Sequence, residues 1–220
     1  MKPKNLVIFD LDGTLIDSLA GIAYCANMVL EQHGFPKRSV DEHRLFVGSG
    51  LRELMRKAAG LKTGESTALL DTLYDNILQV YHENYTIYLT LYQDIDVLLR
   101  KLLENKISIA VNTNKNHQLT LKIIRHLFDP SIFCEIIGSN HGFERKPDPK
   151  GAFHIMEQCG VKAENTFYVG DTSVDLKTAQ AAGITPITVT WGFRTWEELA
   201  PYKPPHRIDQ PLDLLPFLNL

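Results

Sequence analysis

The chain has 220 residues, 44% of them hydrophobic and 22% charged, and a formal net charge of −3 at pH 7. This length holds one large α/β domain, or one domain with a smaller insertion. The slightly acidic balance and the lack of a dense lysine or arginine run argue against nucleic acid as the main partner. No segment approaches the ~18 apolar residues of a membrane span, and the first apolar run is too short for a signal peptide. We therefore expect a cytoplasmic protein without a membrane partner.

The first informative stretch, NLVIFDLDGTLIDS, runs from apolar residues directly into Asp10 and Asp12. Such a run predicts a strand buried on both faces, and open α/β sheets bind ligands at the carboxyl ends of their strands. Two carboxylates at that position repel each other, so a cation is expected between them. The alternative is a solvated turn in which Thr14 and Asp17 form a capping box for a helix that begins at Ser18.

Residues 17–86 contain no convincing strand but carry two helical stripes of apolar side chains. The first stripe, which Gly34 and Pro36 end, comprises Leu19, Ile22, Ala23, Ala26, Val29, Leu30 and His33. The second stripe comprises Leu69, Leu70, Leu73, Ile77, Val80 and Tyr81. Because this helical insertion follows the acids at a strand end, we expect it to act as a lid over the site.

Beyond the insertion, strand-like apolar runs alternate with helical patterns. The runs lie at residues 107–112, 135–138, 166–170 and 185–191. A proline-rich turn at 200–206 precedes a final predicted helix. This alternation is typical of a doubly wound, mainly parallel sheet.

The cysteine and histidine spacings favour neither a crosslink nor a zinc site. Cys25, Cys134 and Cys159 are odd in number and lack CxxC spacing, and the eight histidines show no HxxxH or HExxH pattern. We therefore expect neither a disulfide framework nor a zinc knuckle.

Polar side chains of particular kinds follow the later strands. They are Thr113, Asn114, Lys115, Lys146, Asp171 and Asp175. In a parallel sheet the carboxyl ends of the strands lie at one edge, so these groups converge with the first two acids.

That combination suits phosphoryl transfer. A carboxylate nucleophile needs a metal ion to suppress its repulsion from phosphate, and oxygen ligands suit Mg²⁺. Charge that develops on the phosphoryl oxygens needs a hydrogen-bond donor and a cation, here Thr113 and Lys146. The leaving alkoxide needs a proton, which Asp12 is placed to supply.

The motifs DLDGTLIDS, VNTNK, RKPDP and GDTSVD stand in the order and spacing of the haloacid dehalogenase superfamily, which the whole chain resembles. The insertion resembles the C1 cap of that superfamily, and FVGSGLRELM and VTWGF resemble its phosphoglycolate phosphatase-like members. The resemblance implies a Rossmann-like α/β core formed by residues 1–16 and 87–220, with an all-helical cap at 17–86.

The resemblance also implies roles for individual residues. Asp10 is the expected nucleophile, which forms an aspartyl-phosphate and ligates Mg²⁺. Asp12 is the expected general acid and then general base, with its backbone carbonyl in the metal shell. Asp171 is the third expected metal ligand.

The same resemblance assigns Thr113 and the backbone of Asn114 to the phosphoryl oxygens, and Lys146 to neutralising the phosphate and the nucleophile. Two assignments stay open. Asp175 supports the metal site, or it only caps a helix through a box with Thr172. Lys115 is expected at the surface rather than in catalysis.

Recognition of the group attached to the phosphate is expected from the cap loop at Gly48, Ser49 and Gly50. Glycines at a helix start expose backbone N–H groups that hold an anion. Arg52 then pairs with a substrate carboxylate. The alternative for this segment is a plain interhelical turn with a solvated arginine.

Three functions remain open at this level. An acid two residues after the nucleophile favours cleavage of a P–O bond in a small phosphorylated metabolite, hence a phosphatase. A sugar phosphomutase of the same cap class typically has a cap histidine where this chain has Ile22. A receiver-like phosphoacceptor module needs neither a lid nor an acid for the leaving group. The sequence indicates neither the particular ester nor the oligomeric state.

Overall fold

A computed structural model of the protein describes residues 5–64 and 67–220. The chain divides into two compact units, one formed by the described residues up to Ile16 together with Leu91–Leu220, and the other by Asp17–Thr90. The strands are β1 Leu6–Phe9, β2 Ile16–Asp17, β3 Thr90–Leu91, β4 Ser108–Asn116, β5 Phe133–Ser139, β6 Thr166–Gly170, β7 Thr185–Val189 and β8 Arg207–Ile208.

Six of these strands form one parallel sheet in the order β5-β4-β1-β6-β7-β8, which confirms the predicted fold class. Strand β1 is central, and its Leu6 is in register with Ser108 on one side and Thr166 on the other. All four β1 residues are almost fully buried because both faces of the sheet are covered. An apolar run without alternation is the sequence pattern of such a strand.

Nine α-helices lie in the described parts of the chain. They are α1 Leu19–Gln32, α2 Val40–Phe46, α3 Leu51–Ala58, α4 Thr67–Asn84, α5 Ile95–Glu104, α6 His117–Leu127, α7 Lys150–Cys159, α8 Ser173–Ala182 and α9 Trp196–Leu199. In the sheet unit, Leu6 and Ile8 share one buried cluster with side chains of α7 and α8, including Ile155 and Ala179. Helix α5 packs against β4.

The unit Asp17–Thr90 is built on the two predicted stripes. Helices α1 and α4 pack against each other, and the stripe residues Ile22, Leu30, Leu73 and Ile77 are buried. The short helix α2 was not predicted from the sequence, whereas α3 begins directly after the glycines that were expected at a helix start and buries Leu51, Leu54, Met55 and Ala58. Helix α2 is marked by a capping box at Ser39 and Glu42.

The unit continues past the boundary drawn from the sequence at residue 86, as far as Thr90. The backbone carbonyl of Ile87 lies so close to Gly21 of α1 that a side chain there would collide with it. Residues after α4 therefore pack on α1 before the chain returns to the sheet. The periodicity of apolar residues does not indicate such a backbone contact, so the sequence placed the boundary too early.

Two local features follow the sequence only in part: the alternative capping box before the first helix is excluded, and the predicted final helix is present as a 3₁₀ helix. Thr14 and Asp17 form no capping box, because α1 begins at Leu19 with Ser18 as its N-cap, and the N-cap side chain makes no capping bond. The final segment, Pro211–Leu218, is a 3₁₀ helix rather than an α-helix. Proline at position 216 inside it removes an α-helical hydrogen bond.

The expectation that the cysteines are not crosslinked was wrong. Cys134 of β5 and Cys159 at the end of α7 form a disulfide, with their Cα atoms 6.1 Å apart. An odd cysteine count does not exclude one bridge, and α7 packs on β5. Cys25 is buried and takes no part in this bridge.

Within residues 5–64 and 67–220, no helix has the length and apolar character that crossing a bilayer requires.

The disulfide predicts a redox-dependent stability. It joins residues 25 apart, and closing a loop of that size stabilises a fold by about 3 kcal/mol in the chain-entropy model. The wild type should therefore lose about that much unfolding free energy in dithiothreitol, as measured by urea unfolding. The Cys134→Ser variant should unfold at the same urea concentration with and without reductant. An equal reductant effect in both proteins would contradict the bridge.

His43 predicts a pH-dependent stability of the helical unit. Its ring is fully buried, with Nε2 3.3 Å from Oδ1 of Asn27 and no partner for Nδ1 among the described residues. Burial lowers the pKa of His43 from 6.5 to about 4, against a smaller opposing effect of Glu42 and alongside a further lowering by Arg38. The folded state therefore holds a neutral ring while the unfolded chain binds a proton below about pH 6.5.

The contribution of the neutral His43 ring to the free energy of unfolding should thus be fully present above pH 6.5 and be lost progressively as the pH falls towards 4. The urea midpoint of His43→Gln should fall less between pH 7 and 4.5 than that of the wild type. The exposed His126 supplies a matched control, His126→Gln, which should keep the wild-type slope. Identical slopes in all three proteins would rule out a buried neutral His43.

Candidate active site

The site lies where β1, β4 and β6 end. Asp10 directly follows β1, and its backbone N–H donates to the carbonyl of Val169 in β6 at 2.9 Å. This bond extends the sheet ladder by one residue and holds Asp10 at the sheet edge. Asp171 stands two residues after Val169 and is fully buried. The neighbouring strand β4 carries Thr113 and Asn114 within its last four residues, both buried.

Lys146 is the central cation of the site. Its Nζ lies 2.9 Å from Oδ1 of Asp10 and 2.6 Å from Oδ1 of Asp175, and 3% of its side chain is exposed. Burial by itself disfavours the charged amine, but Asp10 and Asp175 outweigh it and raise the pKa of Lys146 well above its usual value. The lysine is therefore a fixed positive charge shared by two acids.

The side chain of Asn114 holds Lys146 in place by bonding to the backbone of the lysine. The Asn114 Oδ1 atom accepts from the backbone N–H of Lys146 at 2.8 Å, and its Nδ2 donates to the Lys146 carbonyl at 3.2 Å. The peptide bond between Lys146 and Pro147 is cis. The end of β4 thus positions the loop that supplies the cation, which explains why two distant motifs form one site.

Asp10, Asp171 and Asp175 offer carboxylate oxygens that all lie within 4.8 Å of one another. Burial is the largest cause that raises the pKa of Asp10 to about 6, with Lys146 opposing and Asp175 adding to the rise. Burial, followed by the charges of Asp175 and Asp10, raises the pKa of Asp171. Three buried acids this close are stable as anions only with further positive charge, and oxygen donors fit a hard cation such as Mg²⁺.

The carboxylate of Asp171 is held by groups that the sequence did not indicate. Its Oδ2 accepts from the backbone N–H of Phe193 at 2.7 Å, and its Oδ1 lies 3.5 Å from the hydroxyl of Thr14. Gly13, at φ +81°, and Gly192 both approach this carboxylate so closely that a Cβ at either position would collide with it. The glycines in the motifs were the available signal, because close backbone approach requires glycine.

Asp175 has the capping role that the sequence offered as one alternative, and it also pairs with Lys146. Its Oδ2 accepts from the backbone N–H of Thr172 at 3.0 Å and from its hydroxyl at 2.6 Å, which forms the predicted capping box of α8. Its other oxygen pairs with Lys146. The helix start thus orients an acid towards the site, and its support of a metal ion stays a prediction.

The expectation that Lys115 is a surface residue was wrong. The side chain is 2% exposed, and its Nζ contacts the two carboxylate oxygens of Asp12 at 2.8 and 3.0 Å. The reason is the length of β4, which continues to Asn116 although the sequence placed its end at residue 112. The pairing of β4 with β5 is irregular between Asn112 and Asn116, so the sequence pattern does not indicate which way the Lys115 side chain faces.

The two acids of the first motif therefore have different partners. Asp10 pairs with Lys146, whereas Asp12 pairs with Lys115. Each acid is thus paired with a lysine from a separate motif, and the cation expected between the two acids stays a prediction. Tyr168, also missed from the sequence, has its ring centroid 5.8 Å from Nζ of Lys146 and donates its hydroxyl to the carbonyl of Asn112 at 3.0 Å.

The predicted cap residues lie in the unit Asp17–Thr90. Gly48, Ser49 and Gly50 directly precede α3, with Gly50 as its N-cap. Arg52 pairs with Asp71 of the same unit at 2.5 Å. The expected contacts of these four residues with substrate stay a prediction.

Comparisons with known proteins agree with this chemistry. The family model described as haloacid dehalogenase-like hydrolase matches residues 7–189. A phosphoglycolate phosphatase of Pseudomonas syringae pv. tomato is 29% identical over 98% of this chain and 80% of its own length. One of Aliivibrio fischeri is 27% identical, with 98% and 97% coverage.

Among solved structures, that of a predicted phosphoglycolate phosphatase from Haemophilus somnus superposes with a TM-score of 0.88 at 25% identity, over 99% of both chains. The family match spans most of the chain and includes Asp10, Lys146 and Asp171, which the fold brings to one edge of the sheet. The chain therefore belongs to the haloacid dehalogenase-like hydrolases.

Proposed function

We propose that this protein is a Mg²⁺-dependent phosphatase that hydrolyses a small, phosphoglycolate-like phosphate monoester through an aspartyl-phosphate. The observation that carries the proposal is the pair of carboxylates in different environments. Asp10 is buried against Lys146, next to Asp171 and Asp175, while Asp12 is paired separately with Lys115. Relatives named phosphoglycolate phosphatase along the whole chain support the substrate class.

In the first step a carboxylate oxygen of Asp10 attacks the phosphorus atom, and the bond to the ester oxygen breaks. The electron pair goes to that oxygen, which takes a proton from Asp12 and leaves as an alcohol. Lys146 balances the negative charge on the phosphoryl group, and Thr113 and the backbone N–H of Asn114 donate to its oxygens. The sharing of Lys146 between Asp10 and Asp175 holds this positive charge in place before substrate binds.

In the second step a water molecule attacks the phosphorus atom of the aspartyl-phosphate. Asp12, now a carboxylate, takes the proton of that water, and the bond to Asp10 breaks. The products are inorganic phosphate and the two acids in their starting states. One acid thus acts as the proton donor of the first step and the acceptor of the second.

The acids fit a hard cation. Asp10 and Asp171 would hold it, with Asp175 in support and the backbone carbonyl of Asp12 as the further predicted ligand. A bound Mg²⁺ offsets the repulsion between the carboxylate nucleophile and the phosphate anion. The chain's own part is to keep these acids close together, which Phe193 does for Asp171 through its backbone.

Two features of the chain favour a phosphatase over a phosphomutase or a receiver-like module. The unit Asp17–Thr90 supplies the helical cap that a receiver does not need, and we propose that it closes over the substrate. Ile22, where the mutases carry a histidine, is buried in α1. A cytoplasmic location is part of the proposal. The reducing conditions of the cytoplasm would favour reduction of the Cys134–Cys159 disulfide.

The different duties of Asp10 and Asp12 predict different failures. Asp12→Asn keeps the nucleophile, so with p-nitrophenyl phosphate, whose leaving group needs little protonation, phosphorylation should outpace the second step. A burst of one p-nitrophenol per active site should precede turnover slowed by about 10²–10⁴-fold. Labelled phosphate should be trapped on Asp10.

Asp10→Asn should show neither the burst nor the label, because no phosphoenzyme can form. Quenched-flow kinetics and acid-quenched labelling measure both outcomes. Equal, burst-free losses in the two variants would contradict the assignment of separate roles. Turnover of the Asp10→Asn variant at the wild-type rate would disprove the nucleophile.

The acid cluster predicts dependence on a divalent cation. EDTA should abolish phosphatase activity, and excess Mg²⁺ should restore it. Asp171→Asn should lose at least about 100-fold in kcat/KM because metal charge stabilises the transition state by several kcal/mol. Isothermal titration with Mg²⁺ should show weakened binding in the same variant.

The exposed Asp96 of α5 supplies the control for this experiment. Asp96→Asn removes the same charge from the sheet unit and should keep wild-type activity and Mg²⁺ affinity. Full wild-type activity in excess EDTA would refute the metal requirement. Unchanged Mg²⁺ binding by Asp171→Asn would remove this residue from the metal site.

A further inference from the structure

Lys115 is a buried charge that the proposed mechanism does not use. It is the penultimate residue of β4, and 2% of its side chain is exposed. Its backbone N–H donates to the hydroxyl of Thr113 at 3.3 Å. Burying an ammonium group is costly unless it is paired. Asp12 provides one pairing, with both oxygens within 3.0 Å of Nζ. The cation is thus held beside the proposed proton donor.

That placement limits the distance from Lys115 to the substrate. A general acid stands within about 2.6–3.2 Å of the atom that receives its proton. Since Nζ is 2.8 Å from Oδ1 of Asp12, it lies within about 6 Å of the ester oxygen in the reactive complex. An ammonium–carboxylate contact takes up about 2.8 Å of this distance. A carboxylate on the carbon atom bonded to the ester oxygen can therefore reach Lys115.

An ammonium group in this site can serve two anions at once. Lys146 shows this directly, because its Nζ contacts Asp10 and Asp175 together. Three rotatable N–H donors on a compact charge make such sharing possible. Lys115 can likewise keep Asp12 and bind a substrate carboxylate.

The cation that the sequence proposed for this task has another partner. Arg52 pairs with Asp71 within its own unit at 2.5 Å. Lys146 is assigned to the phosphoryl group and to Asp10. Within residues 5–64 and 67–220, Lys115 is the buried lysine besides Lys146, and it pairs with Asp12, which the leaving group must meet.

We infer that Lys115 is a specificity-determining residue that binds a carboxylate carried by the leaving group. This inference rests on the proposed function and extends it, because it selects phosphate monoesters with an anionic group next to the ester carbon. Recognition of the leaving group then begins in the sheet unit, at the residue that also holds the proton donor. Esters without that anion bind the phosphoryl site but lack this second contact.

Two substrates with the same carbon skeleton test the inference, 2-phosphoglycolate and ethyl phosphate, which lacks the carboxylate. The full-length wild type with Mg²⁺ should show a higher kcat/KM for 2-phosphoglycolate. Lys115→Met should reduce that preference by about 10- to 100-fold, the contribution of a hydrogen-bonded charge pair. Lys115→Gln should do the same. Each preference is a ratio within one protein, so the fraction of folded enzyme cancels.

The exposed Lys101 of α5 gives the background control, and Lys101→Met should keep the wild-type ratio. Arg52→Met tests the rival, since a selective loss there with an unchanged ratio in Lys115→Met would overturn the inference. An equal loss on both substrates in Lys115→Met would show a purely positioning role and also overturn it. So would a wild type without preference for 2-phosphoglycolate. A wild type that hydrolyses neither ester nor p-nitrophenyl phosphate would instead defeat the proposed function.

Discussion

The ammonium group of Lys146, shared between Asp10 and Asp175, is the interaction on which the rest of the site depends. Buried charges are tolerated only when they are paired and hydrogen-bonded, and removing one partner leaves the others uncompensated. Asn114 holds the lysine backbone, and Thr172 holds the second oxygen of Asp175. The start of α8 and the end of β4 thereby position the charged groups of the site.

The separation of the two motif acids follows from the strand geometry around them. Asp10 continues the ladder of β1 by bonding to Val169 and is directed to the acid cluster. Asp12 lies beyond the strand and pairs with Lys115 of β4. Two acids separated by one residue thus have two different cations. This difference in environment is what the proposed roles require, one acid as nucleophile and the other as carrier of protons.

The parallel sheet explains why four short motifs, far apart in the chain, form a single site. Strand order places β1 between β4 and β6, so the residues that follow these strands meet at one edge. Close backbone approach completes the arrangement, since Gly13 and Gly192 leave no space for a side chain beside Asp171. The helical unit is a separate compact body, with its own buried stripes and its own polar clamp, in which Asn27 bonds to both backbone groups of Arg38.

The sequence by itself determined the parallel α/β core, the two long helices of the insertion and the motif residues of the site, because apolar period and strand-end chemistry are local signals. Only the tertiary structure decided the partners. Burial of Lys115 depends on how far β4 runs beside its neighbours, and the Cys134–Cys159 disulfide depends on α7 packing on β5. Contacts between residues distant in the chain leave no periodic trace, so the motif residues at the sheet edge were predictable, whereas the extent of β4 and the pairing of each lysine with its acid were not.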